Sequence, residues 1–351
     1  EETDGHEDAE QAGEVAYIID GDKPIECASL AEAMSAAQTS VQLLADETVG
    51  QITVTKTLTL DLNGYTLRKA VSNQPVFRVG AVGSTSAHLT IQDSSGDKSG
   101  AVVGLSSETD STGGASIITV VDGGELTVEG GTIRDNTISN QGGGIFATRK
   151  ATVNICGGTI SNNTAAEGGG IYATGTSTVY IESGEISHNT ATSTVMDRNG
   201  ITPQGGGGIA IVGTVTLNMS GGEISNNTAK GAGGGIGIRR SEGYDEPTFK
   251  MTGGVISNNT AETAEGGGIR LEGTGTIDPT SRTITITDNT CNSSRDLGGG
   301  GVFVASESTM TIYNAVITDN SAGGLGGGLA SCIHGDLSIL STDGAAIYDN
   351  A

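Results

Sequence analysis

Eight asparagines recur from residue 136 onward: Asn136, Asn163, Asn189, Asn227, Asn259, Asn289, Asn320 and Asn350. Three residues before each stands an isoleucine, from Ile133, Ile160 and Ile186 to Ile224, Ile256, Ile286, Ile317 and Ile347. A second phrase, a glycine run closed by an apolar residue, is anchored at Ile145, Ile171, Ile209, Ile236, Ile269, Val302 and Leu329, with spacings of 26, 38, 27, 33, 33 and 27. Two phrases that keep step over this length require a repeat architecture. Each unit is then a layer that buries its apolar face only by stacking on its neighbours.

One unit shows the geometry. Between Gly170 and His188 the runs "GIYAT", "TVYIE" and "GEISH" alternate apolar with polar residues and are separated by glycine or polar turns. Period-2 alternation in runs this short describes strands, since a helix needs more length to form. No helical period occurs in the unit, which excludes leucine-rich, ankyrin and tetratricopeptide repeats. A propeller blade would need four strands and aromatic signatures. The reading is all-β: a parallel β-helix with three short strands per coil and roughly 26 residues per basic unit. The repeated asparagine is placed at a bend, where its amide can bond to the same residue in the next coil. The glycine run is expected to let the backbone turn without Cβ clashes. Composition agrees, with 58 glycines, no tryptophan, 7 tyrosines and 4 phenylalanines, which suits thin layers rather than an aromatic core.

Upstream the pattern differs. Residues 1–14, "EETDGHEDAEQAGE", carry seven carboxylates and no Lys or Arg, and are expected to be a disordered acidic leader. Residues 15–48 are assigned to an N-terminal cap and 49–351 to the coils. Within the cap, Ser29 can begin a short helix, "LAEAMSAAQ", with Leu30, Ala33, Met34 and Ala37 on one face. Asn63–Gly64 is a turn signal. The chain ends at "YDNA", within a repeat, so a longer protein with its export signal and anchor outside this segment is expected.

"KTLTLDLNGYTL" after a short helix, followed by "GGTISNNTAAEGGGIY" units, resembles the right-handed parallel β-helix, pectate-lyase-like proteins displayed by Gram-positive gut bacteria. The GGGI and NNT phrases are also similar to repeats of chlamydial polymorphic outer-membrane adhesins. Over residues 15–351 the resemblance implies the right-handed form, a helix capping the N-terminal end, and an extracellular place on a bacterial surface. It implies no single activity, because this architecture carries lyases, hydrolases, adhesins and structural spikes. The motifs of its hydrolase branch are missing: there is no adjacent Asp pair, no Gly-His-Gly and no Arg-Ile-Lys.

The charge narrows partners. With 41 acidic against 17 basic residues and a formal net charge of -24, nucleic acid and anionic lipid are not expected. No run approaches the ~20 apolar residues of a membrane span. Cys27, Cys156, Cys291 and Cys332 are too scattered for a disulfide framework and read as small core fillers, with one incidental disulfide allowed. His6, His88, His188 and His334 are equally scattered.

Chemistry is sought where the repeat is interrupted. One set of insertions, residues 193–204 and 291–297, brings Asp197 and Arg198 toward Arg295 and Asp296. A second, residues 239–250 and 271–282, gathers Arg239, Arg240, Tyr244, Asp245 and Arg282. Loops on a rigid scaffold commonly carry binding residues. These nine residues are the candidate binding set, with no catalytic residue assigned. No cofactor is expected. The one metal alternative is calcium on Asp288, Asp319 and Asp349, stacked in consecutive coils beside the asparagines. A single rank, Thr137, Thr164, Thr190, Thr228, Thr260 and Thr290, reads as turn-stabilising hydroxyls rather than an ice-binding face. The expected function is adhesin-like binding of a host protein or glycan by a monomer. A carbohydrate-active enzyme and a purely structural stalk are the alternatives. Clustered basic and aromatic residues on one edge would favour binding; a carboxylate pair in a groove beside Arg or Lys would favour the enzyme.

Overall fold

In the computed structural model the described residues are 15–21, 24–81, 86–107, 113–195, 205–279, 283–293, 298–340 and 346–351. Among them the strands form thirteen-, eleven- and ten-stranded sheets and a six-stranded ladder of two-residue strands. One coil runs Ile171–Thr174 in the ten-stranded sheet, Thr178–Ile181 in the thirteen-stranded sheet, Glu185–Ser187 in the eleven-stranded sheet and Thr190–Ala191 in the ladder. Each strand pairs in parallel with its counterparts one coil before and after. The repeat is therefore a stack with about 4.8 Å per coil.

The three expected strands are all present and in the expected register. Ile145, Ile171, Ile209, Ile236, Ile269, Val302 and Leu329 pair in sequence. So do the isoleucines from Ile133 to Ile347. The isoleucine and valine members of both columns up to Ile317 are fully or almost fully buried, each layer covering the next. The threonine rank is more than a turn decoration: Thr164, Thr190, Thr228, Thr260, Thr290 and Ser321 begin the strands of the fourth ladder.

The asparagine column is the polar counterpart of this core. From Asn163 to Asn320 each Nδ2 donates to the Oδ1 of the asparagine one coil later, at 2.9 to 3.1 Å. The backbone N–H of each donates to that same oxygen. The second Nδ2 hydrogen reaches a main-chain carbonyl of the preceding coil, as from Asn227 to Ile186 at 2.8 Å. Every donor is used, so full burial of these amides carries no desolvation deficit. From Asn163 onward the amides point one way. At the start of the column the Oδ1 of the buried Asn136 accepts from Leu105 N at 3.2 Å and from the buried Lys69 ammonium at 3.5 Å, while its Nδ2 donates to the carbonyls of Ala115 and Gly143.

The glycine run has two functions rather than one. Gly168, Gly206, Gly233, Gly266, Gly299 and Gly326 have φ between 59° and 84°, the left-handed region that favours glycine. The glycines that follow them are constrained by space instead: a Cβ on Gly234 would sit 2.3 Å from the carbonyl oxygen of Gly267.

At the N-terminal end the strand Val15–Ile19 pairs antiparallel with both Pro24–Cys27 and Ser40–Leu43, closing the edge of the thirteen-stranded sheet. Helix α1, Leu30–Ala36, packs there with Leu30, Ala33 and Met34 buried, and Ala37 beyond it is buried too. Ser29 Oγ accepts from Glu32 N at 3.2 Å, as its capping position requires, while Glu32 accepts from Ala28 N at 2.8 Å. Lys56 Nζ donates to the carbonyls of Ser35 and Ala37 at the other end of the helix, where a cation is favoured. Asn63 and Gly64 (φ 48° and 83°) do form a turn, a corner between two sheets rather than a hairpin.

Carboxylates hold this end together, and they give it a pH dependence. Three backbone N–H groups, of Gln38, Ser40 and Thr39, hold the Asp20 carboxyl well below its ordinary range. Burial would raise Asp93 and Asp61. Hydrogen bonds from Ser95, Gly100 and Gly64 to Asp93, and from Ser94, Gln42 and Asn63 to Asp61, outweigh it and lower both. A lowered folded-state value means stability that is present above the ordinary carboxylate range and is lost as pH falls through the folded value. Glu47, raised by burial, has the opposite sign: its contribution is full in acid and declines as pH rises through its raised value. The lowered groups prevail, so acidification below about pH 4 is expected to loosen the N-terminal end, residues 15–100, before the central coils. Hydrogen exchange at pH 6 and pH 3 checks this; uniform loss of protection along the chain would contradict it.

Candidate functional site

Residues 240–247 join Ile236–Arg239 of the ten-stranded sheet to Thr248–Met251 of the thirteen-stranded sheet, a corner that the other coils from Ile118 onward make with two to four residues. The longer chain is folded against the body. Gly243 (φ 79°) turns it, and Tyr244 N donates to the Ser241 carbonyl at 3.2 Å. Asp245 N donates to Thr214 Oγ1 at 2.7 Å in the preceding coil. The Tyr244 ring lies over Gly213, where a Cβ would sit 3.1 Å from its Cγ, and remains 50% exposed.

The two arginines at the root of this loop reach in opposite directions along the stack. Arg239 extends two coils back to Glu167, with Nη2 to Oε2 at 2.8 Å. Arg240 ion-pairs with Glu246 of its own loop at 2.9 Å and donates forward to the carbonyls of Ser306, at 3.0 Å, and Glu307. Its backbone N–H donates to Glu272 at 3.1 Å. Both guanidinium groups therefore act as staples between coils, leaving Tyr244 and Asp245 as the exposed members of the expected set among the described residues.

Beneath the corner the outer face of the ten-stranded sheet is itself covered. Tyr172 stacks on Phe146 with ring centroids 5.7 Å apart and planes 4° from parallel. Burial, reinforced by the Glu167 carboxylate, pushes the Tyr172 hydroxyl up to about 12. Further along, Arg270 lies between two carboxylates, at 2.7 Å from Glu272 and 3.8 Å from Glu265. This is a carboxylate pair with an arginine, but Glu265 is 1% exposed and Arg270 7%, so it forms a closed layer under the loops and not a groove.

The structure divides the second insertion set. Thr274–Ile277 is a regular strand paired with Thr248–Met251 and Thr309–Ile312. The extra residues of that coil follow it, between the thirteen- and eleven-stranded sheets, a different corner from residues 240–247. Arg282 lies outside the described residues, as do Asp197, Arg198, Arg295 and Asp296. Asp288, Asp319 and Asp349 occupy the left-handed position beside the asparagine column, φ 52° to 57°. The carboxylates of Asp288 and Asp319 accept from the hydroxyls of Thr287 and Thr318. Among the described residues no group of three or more His, Cys, Asp or Glu side chains is arranged to hold a metal ion. No disulfide joins the four cysteines; Cys27 and Cys291 are core fillers as expected, and burial raises the Cys291 thiol.

One opening in the surface has no counterpart in the sequence reading. On the outer face of the eleven-stranded sheet Arg68 and Arg134 border a cavity of about 430 Å³. Its signal in the sequence was the residue directly after Leu67 and Ile133, where later coils place Ser161, Ser187, Ser225 and Ser257.

With the stack and its corners in view, comparison with known proteins places the chain. Residues 84–336, well over half of it, match the family described as right handed beta helix region, and the chain belongs to that family. It is a fold used by surface proteins and by carbohydrate-binding and carbohydrate-active proteins. No curated protein and no solved structure matches the chain.

Proposed function

We propose that the chain is a non-enzymatic, adhesin-like binding module of a bacterial cell surface, which takes a host protein or glycan at the corner formed by residues 240–247. The observation that carries this reading is a half-exposed Tyr244 on a loop fixed at both ends. An aromatic ring on a preorganised loop binds without a large ordering cost, the usual chemistry of an interface anchor. Arg239, Arg240 and Tyr172 supply the basic and aromatic surroundings but act through the loop's rigidity. Burial of Glu265 and Arg270 makes this carboxylate–arginine cluster a support of the stack rather than an open groove. The resemblance to displayed β-helix proteins supports the extracellular setting. Binding needs no cofactor and no second copy.

The test is a binding screen of the purified chain against arrayed host ectodomains, immunoglobulins and glycans. It is repeated with Tyr244→Ser and with residues 240–247 replaced by a short turn. A saturable ligand whose affinity falls by about thirtyfold, the loss typical of an aromatic anchor, supports the proposal. A ligand that binds both variants as tightly as the parent chain, or silence on every array, overturns it; silence favours the stalk.

A further inference from the structure

We propose that the cavity bordered by Arg68 and Arg134 is a binding site for an acidic oligosaccharide carrying a carboxylate or sulfate on alternate sugars. Arg68 and Arg134 are both in register with Val103, one strand on either side of it. Their backbones are thus two strand spacings, about 10 Å, apart, and both side chains leave the same face of the sheet. Val103, small and 7% exposed, lies between them. In the following coils this position holds Ser161, Ser187, Ser225 and Ser257, each less than a tenth exposed. Through those four coils the face is closed, and it is open where the two arginines stand.

The chemistry of the opening is specific. Each guanidinium can give two parallel N–H donors to a carboxylate or sulfate, which a lysine could not. Ser106, Thr137 and Asn162 also line the cavity and supply hydroxyl and amide groups suited to sugar hydroxyls. Two cations rooted at this backbone separation can reach charges placed two sugar units apart on one chain. The acids nearby leave capacity for a ligand. Asp46 is 4.0 Å from Arg68, with both side chains more than half exposed. Asp135 pairs with Arg134 alone. One carboxylate does not saturate five guanidinium donors, and an exposed pair is weak enough for a ligand to displace. In a chain of net charge -24 these arginines give an anion a local place to dock. The site is separate from the 240–247 corner and does not depend on the reading of that corner.

Calorimetry on the full chain tests it with three oligosaccharides: hyaluronan (carboxylate only), keratan sulfate (sulfate only) and cellohexaose (neutral). Binding of one or both acidic probes, and not of cellohexaose, is expected, and the responding probe identifies the anion. Arg68→Gln and Arg134→Gln should each weaken that binding about tenfold, the worth of a hydrogen-bonded charge pair. Asp135→Asn should tighten it by removing the competing carboxylate. That variant carries the residue that Asn162, Asn226 and Asn258 already place at the same backbone angle, so the fold tolerates it. Tyr244→Ser should leave it unchanged. Failure of both acidic probes to bind, equal binding by the arginine variants, or weaker binding by Asp135→Asn would overturn the proposal.

Discussion

Asn227→Leu is expected to remove about 4 kcal/mol or more of stability from the coils around it, although leucine would fill most of the space. Asn227 Oδ1 accepts from the backbone and side-chain N–H groups of Asn189, at 2.9 and 3.0 Å. Its Nδ2 donates to the Ile186 carbonyl and to Asn259 Oδ1, at 2.8 and 3.0 Å. Leucine removes one partner from each of these four bonds, and the groups left behind are enclosed in a column with no exposure to water. A buried polar group deprived of its partner costs about 1–3 kcal/mol, more than the same bond contributes when made. Native-state hydrogen exchange would show the loss as faster exchange at Asn189 and at neighbouring coils. Exchange unchanged to within about 1 kcal/mol would mean that the column is a consequence of the stack and not one of its supports.

Gly234→Ala is expected to destabilise by about 3 kcal/mol or more, the upper end for overpacking. The new Cβ would lie 2.3 Å from Gly267 O and 2.5 and 2.6 Å from Thr260 C and N. All three are main-chain atoms of the next coil, which is itself paired onward, so no side chain can rotate away. Gly50 provides the control, because a Cβ there meets nothing within 4 Å and its φ is not left-handed. Gly50→Ala should be neutral or stabilise by about 0.5 kcal/mol through the unfolded chain. Thermal melts of the two variants compare them directly. A Gly234→Ala melt equal to that of Gly50→Ala would show that the coils separate freely enough to admit a methyl group.

The fold was legible where identical residues meet in register. Isoleucine on isoleucine and asparagine on asparagine leave a periodic trace, and both columns follow it. The earlier coils left less trace because they build the same columns from Ile52, Phe77 and Ile118 without the glycine run before them. Thr274–Ile277 was obscured by Gly275, which stands where adjacent coils place Phe249 and Met310. Leu271 and Met310 fill the space that its missing side chain leaves. A glycine there reads as loop in one dimension and as an inward strand position in three.

The site was less legible for a similar reason. Arg239, Arg240, Tyr244 and Asp245 could be grouped because they are neighbours in the chain. That Arg239 turns back to Glu167 while Arg240 runs forward to Ser306 depends on the order of the stack. Arg68 and Arg134 become neighbours only through the coil between them.

The opposed reach of the two arginines has a mechanical consequence. In a solenoid each layer normally holds only the next, so a pull on one end peels layers singly. Glu167 precedes the strand at Ile171, and Ser306 follows the strand at Val302. Arg239 and Arg240 stand between them, adjacent in sequence and each tied two layers away. A force that unwinds the chain from its C-terminal end therefore meets a segment from Glu167 to Glu307 that resists as one body before peeling resumes. Residues 240–247 sit at the middle of that segment, the part of the stack least able to unravel under load.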